Sequence, residues 1–274
     1  RAYSSDKLDQ ERGFLRDIVF LQPGDVSEKP IVVVFDQIKS AAEECCLEKR
    51  FLLHAINEPV EPGGVMKGAG IHSISGNIVL VRNGDVTLTS QTLLPEQSVI
   101  RKLGGNNEQG DFRFLVPPLN AAKYSELQNF PPSRVSPRDA QGSGWRIEVM
   151  SAKPARQERF LHVFSLADEG QISLPSVQKY SEGPVSGVII EQRIAVLFLA
   201  DENLEKPLNV ENLPFTHTLY FAGLKPEENY AVGLSSESGS KASTVSVSLS
   251  AEGAFKSDSG GVLALASDQL KAGL

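Results

Sequence analysis

KRFLLHAINEPV (residues 49–60), IHSISGNIVLV (71–81) and VTLTSQTLLPE (86–96) are pieces of one stretch whose reading decides the fold. In the first, Phe51, Leu53 and Ala55 alternate with Leu52, His54 and Ile56, the period-2 pattern of a strand with two distinguishable faces. His54 therefore sits on one defined face of a strand. The β-branched, apolar runs Asn77 to Val81 and Val86 to Leu94 follow, and the Asn83-Gly84 step between them is a strong short-range hairpin signal. Together the three runs predict an antiparallel meander.

The same signature recurs on both sides of this stretch. Phe14 to Leu21 alternates, Pro23-Gly24-Asp25 turns the chain, and Ile31 to Phe35 is an unbroken apolar, largely β-branched run that predicts burial on both faces or a barrel-like interior, ended by Asp36. Further strands are predicted at Ser98 to Leu103, Trp145 to Val149 and Arg159 to Leu166. Toward the C-terminus they fall at Ser186 to Ile190, Ile194 to Leu199, Phe215 to Phe221, Tyr230 to Ser235, Thr244 to Ser250 and Gly261 to Leu265. Turn clusters separate many of them at short intervals, and no helix longer than two turns is predicted. The expected architecture is all-β: an edge segment over residues 1–13 and one large antiparallel β-sandwich over 14–274. Within it, residues 106–144 form a long irregular excursion, marked by Pro117-Pro118, Pro131-Pro132 and Pro137. Loops longer than about 12 to 15 residues are usually functional or disordered, so this one reads as a binding loop or a flap, or as a cover packed over the sheet edge by its own aromatics.

Composition narrows the function classes. The chain has 274 residues, 41% hydrophobic and 22% charged, with a net charge of −7, so its overall field repels polyanions and nucleic-acid binding is not expected. No run approaches the roughly 18 to 20 apolar residues of a membrane helix, so no membrane association is expected. Cys45 and Cys46 are the only cysteines, and neighbours in sequence do not build a disulfide framework. The chain opens on Arg1-Ala2-Tyr3 without an initiating Met, which reads as a processed or excised start with functional residues expected upstream. His162 shares the parity of Phe160 and Phe164, which places it in the core with a hydrogen-bond partner, and Trp145 at the head of an alternating strand reads as buried.

In order and spacing, FLRDIVFLQPG (14–24), VVVFDQI (32–38), KRFLLHAINEPV (49–60), LTSQTLLPEQSVIRKLGG (88–105) and GWRIEVMSAKPARQERFLHVF (144–164) resemble the carboxy-terminal β-sandwich of the heparinase II/III-like polysaccharide lyases. The resemblance covers residues 14–265, and its specific part lies in the blocks around Phe51, Gln91 and Trp145.

The resemblance implies a bacterial, secreted or periplasmic lyase in which an α-helical toroid and a large sandwich share a cleft for an acidic polysaccharide. Its chemistry is β-elimination: a base removes the proton alpha to a uronate carboxylate, an acid protonates the leaving oxygen, and neutralisation of the carboxylate acidifies that proton. The resemblance carries His54 over as a ligand to zinc, whose other ligands would come from upstream sequence, as would the toroid or a partner chain bearing the main catalytic groups. In the excursion, Tyr124, Phe130 and Arg134 are the candidate sugar contacts, with Tyr124 and Arg134 the substrate-binding choices. Two other readings stand beside the lyase: a non-catalytic carbohydrate-binding module using exposed residues such as Tyr124, Arg134 and Tyr180, and a structural domain that pairs through its open sheet edges.

Overall fold

In the computed structural model of the chain, the described residues are 7–22, 29–41, 48–113, 115–116, 128–129, 144–168, 170–199, 207–214, 218–236, 242–266 and 269. Every regular element among them is a β-strand, so the fold is all-β. It divides into two compact units, one formed by Arg1–Phe14 with Ile38–Ser173 and the other by Leu15–Gln37 with Leu174–Leu274.

Strands are numbered in chain order. β1 (Phe14–Leu21) and β2 (Ile31–Lys39) are neighbours in one sheet. Ile31, Val33, Val34 and Phe35 are all buried, as the unbroken apolar run predicts. Asp36 does not end that strand. The Arg16 Nε and Nη2 each reach one of its carboxylate oxygens at 2.6 Å, and this bidentate pairing lets a 1%-exposed carboxylate continue β2 to Lys39.

The first unit contains β3 (Arg50–Ala55), β4 (Gly70–Ile74), β5 (Ile78–Asn83), β6 (Val86–Leu94) and β7 (Ser98–Gly104). Two short ladders follow, β8 (Asn106–Asn107) with β9 (Gly110–Asp111), and β10 (Leu115–Val116) with β11 (Gln128–Asn129). The unit ends with β12 (Trp145–Ser151) and β13 (Gln157–Asp168). One sheet has the order β3-β12-β7-β4, while β13, β6 and β5 lie side by side in another. Phe51 of β3 stacks on His162 of β13 at 3.9 Å, and Phe164 lies 6.3 Å from Phe51, so the two layers face each other across these rings. His162 is fully buried with its Nδ1 3.2 Å from Thr92 Oγ1, and Trp145 is buried as well.

Of the expected meander, only the hairpin around Gly84 forms: Asn83 pairs with Val86, and Gly84 takes φ 56°. β3 pairs with β12 rather than with its successor, and β4 lies at the opposite edge of that sheet, against β7. The connection between them is fixed by Glu58, whose carboxylate accepts the backbone N–H of Lys67 at 2.7 Å and of Gly68 at 3.0 Å. Its Oε1 also meets Lys102 Nζ of β7 at 2.5 Å, which pins the crossing segment to the strand it must pass.

The second unit contains β14 (Val177–Glu182), β15 (Val185–Ile190), β16 (Ile194–Leu199), β17 (Leu208–Pro214), β18 (Thr218–Ala222), β19 (Asn229–Ser236), β20 (Ala242–Leu249), β21 (Phe255–Lys256) and β22 (Leu263–Ala266). They build two sheets, β14-β15-β16-β18-β22 and β17-β20-β19-β21. A single core joins Val185, Ile189, Leu197 and Phe221 of the first sheet to Val210, Tyr230, Val245 and Val247 of the second, which is sandwich packing. β16 and β18 pair in parallel, with Ile194 opposite Thr218, and the other registered pairs are antiparallel.

Candidate functional site

The sheet β3-β12-β7-β4 has two chemically different faces. Residues directly opposite each other on neighbouring strands share a face, so Phe51, Val149 and Ile100 line the core side. On the other side, His54 stands across from Arg146, which stands across from Leu103. One step along, Leu52, Glu148 and Arg101 form the next row, and Arg50, Met150 and Val99 the row after it. This face thus gathers three arginines and a histidine around one strand carboxylate.

Its centre is covered and its margins are open. Arg146 and Glu148 are 6% and 1% exposed, whereas Leu52 and Ile71 on the flanking strands are 46% and 43% exposed. Arg146 Nε donates to Glu148 Oε1 at 2.8 Å, and Arg146 Nη2, 2.7 Å from the same oxygen, also donates to the Leu115 carbonyl of β10 at 2.6 Å. The guanidinium therefore links the sheet to β10, in the second described ladder of the long excursion. Glu148 Oε2 is buried without a hydrogen-bond partner.

The electrostatics follow from this cover. Burial pushes the Glu148 carboxyl up to about 7, with Glu48 adding to the push and Arg50 and Arg101 opposing it. Burial and the neighbouring Arg146 charge hold the His54 imidazole below its ordinary value, so it is neutral at neutral pH and can accept a proton or a hydrogen bond. The same burial, with Arg50 nearby, lowers Arg146.

Of the residues singled out from sequence, His54 lies on the exposed face of β3, where its alternation put it. Its cross-strand neighbour is a guanidinium rather than a second metal donor. Among the described residues no group of three or more His, Cys, Asp or Glu side chains could hold a metal ion, so zinc at His54 needs ligands from beyond them. Glu58, next along the chain, is committed to Lys102 and the 67–68 backbone. Tyr124, Phe130, Arg134, Cys45 and Cys46 lie outside the described residues. Tyr180 is not the exposed sugar platform expected of it: it is 8% exposed, packs in the second unit's core, and its hydroxyl lies 2.6 Å from both Glu182 Oε2 and the Glu211 carbonyl. Arg146 and Glu148 went unremarked in the sequence, although the alternation of WRIEV already sets them on one face; their importance depends on the strand register and on Leu115 above them.

The fold is all-β, and one sheet face of this chain of net charge −7 sets Arg50, Arg101, Arg146 and His54 close to Glu48 and Glu148, with Arg50 paired to Glu48 and Arg146 to Glu148. No family model matches the chain, and no curated protein matches it significantly. No helix among the described residues is long and apolar enough to cross a membrane.

Proposed function

We propose that this chain is the β-sandwich part of a heparinase II/III-like polysaccharide lyase, acting on a uronic-acid polymer by β-elimination in a secreted or periplasmic setting. The observation that carries the reading is the gathering of Arg50, Arg101, Arg146 and His54 on one sheet face of an acidic chain. The ordered sequence blocks supply the family. In this reading the face is one wall of the cleft, and an α-helical toroid, on the same polypeptide or a partner, supplies the other wall and the main catalytic groups.

The wall's work is electrostatic. A guanidinium at its margin, Arg101, or Arg50 on exchanging its Glu48 partner, pairs with the uronate carboxylate and lowers the cost of the carbanion that forms when the adjacent proton leaves. His54, neutral and exposed, hydrogen-bonds the sugar hydroxyls, and the apolar flanks Leu52 and Ile71 take the ring faces. No step is assigned to a metal.

The test is calorimetric titration of the chain with polygalacturonate, alginate and heparin oligosaccharides at low and high salt, alongside an ultraviolet assay for the unsaturated uronate left by elimination. Saturable, salt-weakened binding that drops about tenfold in an Arg101→Ala/His54→Ala double variant supports the wall. Binding unaffected by the variant places the ligand elsewhere, and no binding to any polymer overturns the reading. Binding without absorbance gain, even with the full-length natural protein, leaves the non-catalytic carbohydrate-binding module in its place.

A further inference from the structure

The first unit holds a hollow of about 410 Å³ between residues 61–64 and 75–78, none of which belongs to the arginine face. Its two walls come from different parts of the fold. Backbone bonds between Val60 and Leu80, at 2.9 and 2.8 Å, tie the start of one wall to β5. The other wall is the link from β4 to β5, which carries the chain from one sheet to another. Glu61 joins the two: its Oε1 accepts the Ser75 N–H at 2.6 Å, the Ser75 hydroxyl at 2.7 Å and the Gly76 N–H at 3.2 Å. The Ser75 hydroxyl first, then the two N–H groups, hold the carboxyl below its ordinary value, so Glu61 is charged at neutral pH. All three bonds go to Oε1, which leaves Oε2 for a ligand.

The lining selects what that ligand is. The N–H groups of Gly64, Ser75 and Gly76 and the Ser75 hydroxyl are spent on Glu61, and the Asn77 amide is spent on the Thr92 carbonyl at 3.0 Å. Pro62 has no N–H to offer. Glu61 Oε2 and the Asn77 side-chain oxygen take none of these bonds, and glycines leave the wall bare: a Cβ on Gly63 would meet nothing within 4 Å. Lys67 exerts the weakest of the effects on the Glu61 carboxyl, so the hollow keeps its negative charge. It therefore disfavours an anionic sugar and favours a cation that only donates. An ammonium has three donors and no acceptor, whereas a guanidinium fork wants two carboxylate oxygens and finds Oε1 filled.

We propose that this hollow binds a primary ammonium on a short aliphatic stem, carried by a free diamine or by a lysine side chain. The ammonium pairs with Glu61 Oε2, and the stem lies against Pro62 and Ile78. No covalent bond is made or broken. The proposal stands whether or not the arginine face binds a polysaccharide.

The experiment is an amide-shift NMR titration of the whole chain at low salt with 1,4-diaminobutane, Nα-acetyl-lysine methylamide and, as the uncharged control, 1,4-butanediol. A single solvent-open ion pair contributes little, so saturable binding with a Kd on the order of 1 mM is expected, with shifts concentrated at Gly63, Gly64, Ser75, Gly76 and Ile78. Glu61→Gln keeps an oxygen for the Ser75 and Gly76 donors but removes the charge, and should weaken binding about fivefold. The tighter of the two amines distinguishes a free diamine from a lysine side chain, and either supports the site. An equal response to the diol, shifts scattered over the acidic surface without saturation at these residues, or unchanged affinity in Glu61→Gln overturns the proposal. If Glu61→Gln does not fold, the diol comparison and the shift map of the natural chain decide on the same terms.

Discussion

Lys102 and Glu58 are 3% and 8% exposed, and their 2.5 Å contact lies on the core side of the sheet, where Lys102 stands between Ile147 and His72 on the neighbouring strands. A buried pair of this kind adds little over a hydrophobic replacement of both partners, but removing one partner strands the other's charge. Lys102→Met is therefore expected to lose about 3–5 kcal/mol in urea unfolding, and a Lys102→Met/Glu58→Leu double variant to recover much of that loss. Burial pushes the Glu58 carboxyl up, but Lys102 and the two backbone N–H groups outweigh it and hold it below its ordinary value. Its contribution is thus present above the ordinary carboxylate range and lost as pH falls through the depressed value, so Glu58 is a source of acid sensitivity. Glu148 has the opposite sign. With the folded value raised to about 7, its contribution is complete below about 4.5 and disappears as pH rises through 7. Between pH 5 and 8.5 the natural chain should lose on the order of 3 kcal/mol relative to Glu148→Gln, measured as the difference between their urea-unfolding profiles. Parallel profiles would show that the carboxyl is not perturbed.

At the scale of elements, Gly187 gives the sharpest test of how the second sandwich closes. A Cβ there would collide with the Val196 carbonyl oxygen and lie 2.9 Å from Leu197 Cα, backbone atoms that cannot swing aside. Gly187→Ala should cost about 1–3 kcal/mol by thermal unfolding, more than an ordinary strand substitution, and a neutral result would mean β15 and β16 sit farther apart than described. Strands with strong apolar alternation were readable from sequence: β1 and β6 end on the residues their patterns predict, Phe14–Leu21 and Val86–Leu94. β14 and β17 were not, because VQKYSE and LNVENLP carry too many polar residues for periodicity to register. Pairing was less legible than existence. Nothing local in KRFLLHA says that β3 will lie beside β12, about ninety residues on; the register exists only once Glu58 and Lys102 have routed the chain across β7. The candidate face shows the same division. The side of β3 on which His54 lies follows from alternation alone, whereas the bond from Arg146 to the Leu115 carbonyl, thirty-one residues back, has no local signal.

For the whole molecule, the governing contrast is a net charge of −7 set against one sheet face carrying Arg50, Arg101, Arg146 and His54. Long-range repulsion of a polyanion by the chain competes with short-range attraction at that face, and salt screens both. Binding through the face is thus expected to be modest and local, taking a few uronate units rather than a long polymer. The measurement that tests this most directly is calorimetric titration of the chain with a defined uronate oligosaccharide, comparing the natural sequence with Arg101→Ala/His54→Ala at two salt concentrations. The account predicts saturable binding that weakens as salt rises and falls about tenfold in the double variant while its melting temperature holds. Equal affinity for the two proteins, or no heat of binding with any uronate, would contradict it.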